Sequence, residues 1–249
     1  MIALEDAVLE APVPTKQTNT ESTTTFPRPD TEAFANLCRA LDCRPLGYRI
    51  TKRAFDIAFS SVVIAVGFVP CVLLSVAIAV DVKGSPIYTQ ERVGRLGRPF
   101  RIYKFRTMVA DADDVEKYLD SEQLAEWHRE RKVDNDPRIT QLGRILRRTS
   151  LDELPQFLNV LIGQLSVIGP RAITYDELEH YGREAPLLLS VPQGITGAWQ
   201  TGPRNDATFE NGERQSVEIG YVRHASIGKD IRVFGATFGA MFGKRKTGR

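Results

Sequence analysis

The chain is poor in the residues from which metal centres and disulfide frameworks are built. Its 249 residues include 3 cysteines and 3 histidines. Cys38, Cys43 and Cys71 are odd in number and form no C-x-x-C pair, which argues against a disulfide framework and against a zinc site. His128, His180 and His224 are scattered without ligand spacing and read as surface or satisfied core histidines. No charge dominates either: 33 Lys and Arg stand against 31 Asp and Glu, a formal net charge of +2. Bulk charge therefore gives no reason to invoke nucleic acid, and only local clusters of Arg and Lys carry information. A P-loop, a dinucleotide fingerprint and a Ser-His-Asp order are all missing, and no internal repeat is evident. The opening MIALEDAVLEAPVP lacks the basic start and apolar core of a signal peptide, so catalytic residues are expected in the cytoplasm.

Hydrophobic content of 42% and charged content of 26% are ordinary for one sizeable domain with appendages. The average hides an uneven chain. Residues 1–45 read as a variable tail. Its first part, to about residue 32, is rich in Thr, Pro and Glu and buries too little apolar area to offset its ordering entropy. A short helix is allowed from Thr31 to Leu41. From Ile57 to Val80 there is no charged residue. As a helix this run would reach roughly 36 Å, against a hydrocarbon core of about 30 Å. A membrane-inserted helix over 46–82 is therefore expected. Pro70, with Gly67 one turn earlier, should break or kink it. Both flanks are basic: Arg44, Arg49, Lys52 and Arg53 before, Lys83, Arg92, Arg95 and Arg98 after. Positive flanks mark the cytoplasmic side, so a re-entrant helix–break–helix hairpin is preferred to a kinked single span.

Residues 83–235 read as a cytoplasmic α+β domain, mostly α. A strand is expected near Phe100–Met108, a charged helix over 110–132, and an amphipathic helix carrying Leu151, Leu154, Leu158, Leu161 and Ile162, ended by Gly163. Thr174 to Tyr181 reads as a further short helix. Asp230 to Phe242 has amphipathic spacing, and 236–249 forms a basic C-terminal tail suited to anionic headgroups.

The most informative segment is Arg147-Arg148-Thr149-Ser150-Leu151-Asp152-Glu153-Leu154-Pro155-Gln156. Two adjacent carboxylates follow two arginines at an expected helix start. A helix N-terminus would hold Asp152 ionised and favour phosphate. An ionised Asp can attack phosphorus. Glu153 is suited to a hard cation, and arginines clamp phosphoryl oxygens. An ordinary alternative stands beside this: Ser150-x-x-Glu153 matches a capping box, and Asp152 fits an N-cap ahead of Pro155. A second cluster, Tyr103-Lys104-Phe105-Arg106-Thr107-Met108, would put Lys104 and Arg106 on one strand face; alone, that is a solvated face. The turn Ile168-Gly169-Pro170-Arg171 presents one arginine. Val191 to Gln200 is a Gly- and Pro-bearing loop that includes Trp199, and Gly202-Pro203-Arg204-Asn205-Asp206 is another polar turn.

Taken together these clusters resemble the bacterial sugar transferase family, the monotopic phosphoglycosyl transferases. The resemblance runs from about Lys52 to about Val233, with its elements in the family's order. They are KR-x-FD (Lys52, Arg53, Phe55, Asp56), the proline-broken apolar run, Q-x-R-x-G (Gln90, Arg92, Gly94) and KFRTM. DPRIT-x-x-GR-x-LR (Asp136 to Arg147), SLDELPQ-x-x-NV (Ser150 to Val160), GPR, GITG-x-WQ and GPRN follow. The resemblance implies transfer of a sugar-1-phosphate from a UDP-sugar, UDP-glucose or UDP-galactose favoured, to polyprenyl (undecaprenyl) phosphate with release of UMP. It implies Asp152 as nucleophile, Glu153 as ligand to Mg2+ (or Mn2+), and Arg147, Arg171, Lys104, Arg106 and Arg204 as phosphate or substrate contacts. It also implies a Pro70 hairpin, interfacial helices at the cytoplasmic face of the bacterial inner membrane, and contact with the lipid bilayer; a homodimer is compatible. Three positions depart from the family pattern: Val69 stands where Ser often precedes the proline, GPRP reads Gly169-Pro170-Arg171-Ala172, and GRN reads Gly202-Pro203-Arg204-Asn205. A silent membrane scaffold of a polysaccharide assembly complex is the rival reading.

Overall fold

The structure is a computed structural model of the full chain, and it describes residues 27–130, 133, 135–202, 207–209 and 211–242. Helix α1 (Glu32–Leu41) opens it. The Thr31 hydroxyl accepts from Phe34 N at 3.3 Å, Glu32 occupies the first turn and Arg39 the last. These charges complement the helix dipole. Phe34 and Cys38 on its inner face are fully buried. They join Val93, Ile173, Leu178, Leu188, Leu189 and Ile219 in one core cluster. The expected tail through residue 45 is thus corrected over its last part. The short helix allowed from Thr31 to Leu41 forms there, and burying Phe34, Ala35 and Cys38 gives apolar contact that offsets its ordering entropy. The tail expectation for residues 1–26 lies outside the described residues.

Helix α2 (Leu46–Val82) is a single helix of 37 residues, about 55 Å long at the usual rise. Helical backbone continues through Pro70, so the expected break does not divide α2 into two separate helices, and Pro70 lies inside one helix. Proline removes one N–H from an internal turn, and the long apolar stretches on both sides each retain their own ladder. The chain then leaves the helix at Lys83, in the left-handed region at φ 52°. Among the described residues this is the one helix long and apolar enough to cross a membrane.

Burial along α2 is uneven. Near its start Tyr48, Lys52, Asp56 and Ser60 are buried at four-residue steps, one stripe of the helix. Near its end Ile78 and Val82 are buried. Between them Val62, Val66, Phe68, Val69, Leu73 and Val76 are exposed.

The hairpin β1 (Ile87–Val93) and β2 (Pro99–Phe105) is antiparallel, in register from Ile87↔Phe105 to Val93↔Pro99. Its connection passes Gly97 at φ +77°, where a Cβ would lie 1.8 Å from Pro29 O, so only glycine fits beneath the strap that leads into α1. Helices α3 (Ser121–Glu130) and α4 (Gln141–Thr149) follow, then α5 (Gln156–Leu161). The expected helix over 110–132 is realised only from Ser121, after a 3-10 turn at Val115–Lys117. Strand β3 (Ser166–Ile168) pairs in parallel with β4 (Gly194–Thr196), with α6 (Tyr175–Glu179) and α7 (Ala185–Leu188) in the crossover. Helices α8 (Ala198–Thr201), α9 (Glu213–Arg223) and α10 (Ile227–Phe242) complete the domain. The boundary expected at residue 235 falls inside α10, whose Val233 is a core residue and Phe234 packs against the core; residues 243–249 lie outside the described set.

The central core joins Phe100 and Ile102 of β2 to Val160, Leu165, Val167, Ile168, Tyr221 and Val233, with Phe59 of α2 packed against it. The KR-x-FD residues fasten α2 to this core. Lys52 Nζ donates to Asp230 Oδ2 at 2.8 Å, and Asp230 also accepts from Tyr48 Oη at 2.8 Å and Tyr221 Oη at 2.6 Å. Arg53 donates to Val160 O and Leu161 O at 2.6 and 2.8 Å, covering carbonyls at the end of α5. Asp56 accepts from Ser166 Oγ at 3.0 Å and Val167 N at 2.9 Å. Removing one partner of a buried pair strands the other. Lys52→Met should therefore cost about 3 kcal/mol, the low end for such pairs because two hydroxyls still serve Asp230. Thermal unfolding of the detergent-solubilised chain measures it; a shift no larger than that of an exposed substitution would show the pair to be inert.

Candidate active site

Three elements converge on the carboxylate pair. Strand β2 brings Lys104, helix α4 brings Arg147 near its end, and a 3-10 turn at Leu151–Glu153 carries Asp152 and Glu153. Helix α4 starts where the Thr140 hydroxyl accepts from Gly143 N at 2.9 Å. It stops at Ser150, whose backbone is left-handed at φ 56°. That residue turns the chain sharply, so the two carboxylates sit one step past a helix end.

This placement corrects the sequence expectation. The capping box at Ser150 and Glu153 does not form, and Asp152 is not an N-cap; α5 begins only after Pro155. Asp152 therefore does not cap α5, and its own backbone amide gives its carboxylate only a small lowering. Its pKa is pushed up to about 6, first by burial and then by the neighbouring Glu153 carboxylate, with Lys104 and Arg147 pulling the other way. The helix dipole was expected to hold it ionised; desolvation outweighs that.

Glu153 is paired with Lys104, Nζ to Oε1 at 2.9 Å, both partly exposed. Arg147 is anchored through its Nε, which donates to Thr107 Oγ1 at 2.9 Å, while the residue as a whole is exposed. Asp152, Glu153, Lys104 and Arg147 thus form one electrostatic unit. Leu151 beside Asp152, Ile145 on α4 and Leu158 and Ile162 along and after α5 expose apolar side chains.

Other expected site residues are elsewhere. Arg106 donates to the carbonyls of Ser85 and Ala110 at 3.0 and 3.1 Å and lies over the Tyr88 ring, so it fastens the start of the hairpin. Arg171 belongs to a second polar cluster. Its backbone N donates to buried Glu218 at 2.9 Å, and its guanidinium lies 5.8 Å from the centre of the Trp199 ring. Arg214 is sandwiched between Trp199 and Phe209 at 4.2 and 4.0 Å. Glu177 takes Arg92 at 2.9 Å, and the Tyr181 hydroxyl donates to Glu218. Burial drives the Glu218 carboxyl upward, against the nearby Arg214. Arg92 was visible in Q-x-R-x-G; Glu177, Arg214 and Glu218 carried no sequence signal, because their partners are distant in the chain. Arg204 lies outside the described residues. Pro70 sits exposed in the middle of α2.

A divalent cation finds two adjacent carboxylates here and no protein-built cage: among the described residues no group of three or more His, Cys, Asp or Glu converges. That donor set fits Mg2+, which binds through one or two carboxylates and completes its shell with water and substrate phosphate. Glu153 would have to exchange its Lys104 partner to take part.

The sequence model of the bacterial sugar transferase family matches residues 47–244, spanning α2, the carboxylate pair and all of the domain behind them. The chain belongs to the bacterial sugar transferase family. Among similar members is the exopolysaccharide production protein ExoY of Rhizobium meliloti, 39% identical over 202 residues, which cover 80% of this chain and 88% of the relative. The undecaprenyl-phosphate galactose phosphotransferase of Salmonella typhimurium is 41% identical over 188 residues, 74% of this chain and 39% of the relative. The UDP-galactose-lipid carrier transferase of Erwinia amylovora is 39% identical over 196 residues, 78% of this chain and 40% of the relative. The chain thus spans about two fifths of the length of these last two transferases. Helix α1 precedes the family match and packs into the core that the match covers.

Proposed function

We propose that this sugar transferase moves a sugar-1-phosphate from a UDP-sugar to polyprenyl phosphate, undecaprenyl phosphate by likeness to its relatives, at the cytoplasmic face of the bacterial inner membrane. The observation that carries the reading is the Asp152–Glu153 pair with Lys104 and Arg147 beside it, in a chain whose α4 and α5 also expose apolar side chains. Relatives named for galactose and glucose transfer favour UDP-galactose or UDP-glucose as donor.

In the first step an Asp152 carboxylate oxygen bonds to the β-phosphorus, and the bond from that phosphorus to the bridging oxygen breaks. UMP leaves with the bridging oxygen, and Asp152 carries the phosphosugar as an acyl phosphate. In the second step an oxygen of the lipid phosphate bonds to the same phosphorus and Asp152 leaves as carboxylate. Two inversions give net retention at phosphorus. Arg147, with its fork open to solvent, contacts the phosphoryl oxygens. Lys104 neutralises charge beside Glu153. Mg2+ held by Glu153 and the diphosphate would supply further charge neutralisation.

Helix α2 would serve as the membrane anchor. Its start is fastened to α10 and β3, and its end packs with Phe105 of β2 and Leu146 of α4. Both ends thus lie against one domain while the apolar middle is exposed. This supports a bend near Pro70 that returns the chain to the side it entered from, with Leu158, Ile162, Ile231 and Phe238 resting at the interface.

UMP release from a panel of UDP-sugars, with Mg2+ and undecaprenyl phosphate, tests the reaction. Release with none of them by a folded sample would leave the scaffold reading. Exposed Cys43 and a cysteine placed at Lys83 should label from the same membrane face. Labelling from opposite faces would replace the hairpin with a span.

A further inference from the structure

Arg147 lies near the end of α4, a helix of nine residues. Thr107 supplies the placement. Its backbone carbonyl accepts from Thr140 N at 3.1 Å, immediately before α4. Met108 and Ile139 form an antiparallel bridge, and Val109 N donates to Arg138 O at 3.0 Å, so residues 107–109 and 138–140 are stitched together. Gly143 then lies flush on this joint: a Cβ there would fall 2.0 Å from Thr107 O. Gly143 and Arg147 are one helical turn apart and share a face. At that next turn the Thr107 hydroxyl, itself buried, accepts from Arg147 Nε at 2.9 Å. It is the hydrogen bond of the Arg147 guanidinium among the described residues. Three residues before Thr107, the same strand segment carries Lys104.

We infer that Thr107 is a positioning residue for the transfer reaction: its backbone seats α4 against β2 and its hydroxyl aims the Arg147 guanidinium, so that Lys104 and Arg147 are held on either side of Asp152. Neither of the two cations is covalently near the other, and this joint is what makes their separation constant. A guanidinium fixed at Nε keeps both Nη groups free and co-planar for two phosphoryl oxygens. Without the hydroxyl, the arm samples several rotamers, and the ordering is drawn from substrate binding energy instead.

The inference rests on Asp152 being the reacting carboxylate, and the test separates the two. UMP release and UDP affinity are measured on the full chain in lipid nanodiscs for Thr107→Val, Thr107→Ser, Arg147→Lys, the Thr107→Val/Arg147→Lys double variant and Asp152→Asn. Thr107→Val keeps the shape and loses the acceptor; it should lower kcat/KM about 10-fold. Thr107→Ser restores the acceptor and should recover to within about twofold. Lysine has no Nε–H in the fork, so Thr107→Val should add nothing once Arg147→Lys is present. UDP affinity carries the same cycle wherever turnover is too slow to follow. Wild-type behaviour of Thr107→Val, or losses that multiply in the double variant, overturn the inference. Retained activity in Asp152→Asn overturns the nucleophile assignment alone, since the affinity cycle between Thr107 and Arg147 does not involve that carboxylate.

Discussion

Asp152→Asn should abolish turnover and leave the protein at least as stable as before. Asparagine matches the shape of aspartate but cannot form the acyl phosphate, so UMP release and covalent labelling by a radioactive UDP-sugar should both fall by at least about 1000-fold. Stability should move the other way. Burial and Glu153 raise the Asp152 pKa to about 6 from an ordinary 3.8. A carboxyl whose folded pKa is raised binds its proton more tightly in the folded state. It therefore contributes full stability below pH 3.8, and that contribution is lost as pH rises through about 6. The neutral amide has no such loss. Above pH 6 the Asn variant should unfold at a higher temperature than the parent, and the two should converge near pH 4. A dead and destabilised variant would mean that Asp152 is a structural carboxylate. Strain held at a functional site and relieved by its loss is the expected trade of activity against stability.

Lys104→Met should be the next most damaging change. Lys104 pairs with Glu153 at 2.9 Å and lowers the Asp152 pKa more than Arg147 does. Its loss leaves Arg147 as the side-chain cation that offsets the Asp152 carboxylate among the described residues. The rate at pH 7 should fall about 100-fold, the scale for one charge-stabilising group. The pH profile should move in a definite direction. In the parent the acid limb lies at or below about 6, because a bound divalent cation can only favour the ionised carboxylate further. With Lys104 removed, the limb moves to higher pH. Lys104→Arg keeps the charge and should hold the limb in place. An acid limb in Lys104→Met at or below that of the parent would remove Lys104 from the site.

Much of this centre was legible in the order of motifs along the chain. The adjacent carboxylates, the arginine five residues before them and the apolar run depend on residue type and spacing, which the sequence displays directly. The environment of Asp152 was not legible. A helix-start pattern predicted amides and a lowered pKa, whereas Ser150 turns left-handed and Asp152 falls into a half-buried 3-10 turn. Lys104, from a strand 49 residues before its partner, supplies the local counter-charge. Arg106 and Arg171 looked like members of the same site because they belong to neighbouring motifs. One instead fastens the hairpin start, and the other stands beside Glu218 and Trp199. The short helix allowed from Thr31 to Leu41 forms as α1, but its docking was not legible; the burial of Phe34 and Cys38 depends on a groove built by residues far along the chain.

What the sequence determined alone was the class of the protein, an apolar helix joined to an α+β domain with an acidic pair among basic motifs, because hydrophobic periodicity and motif order are local properties of the chain. What only the tertiary structure decided was which charges meet. The Lys52–Asp230 anchor, the Thr107–Arg147 joint and the raised pKa of Asp152 all arise from burial and long-range approach, and neither of these is written in the spacing of residues.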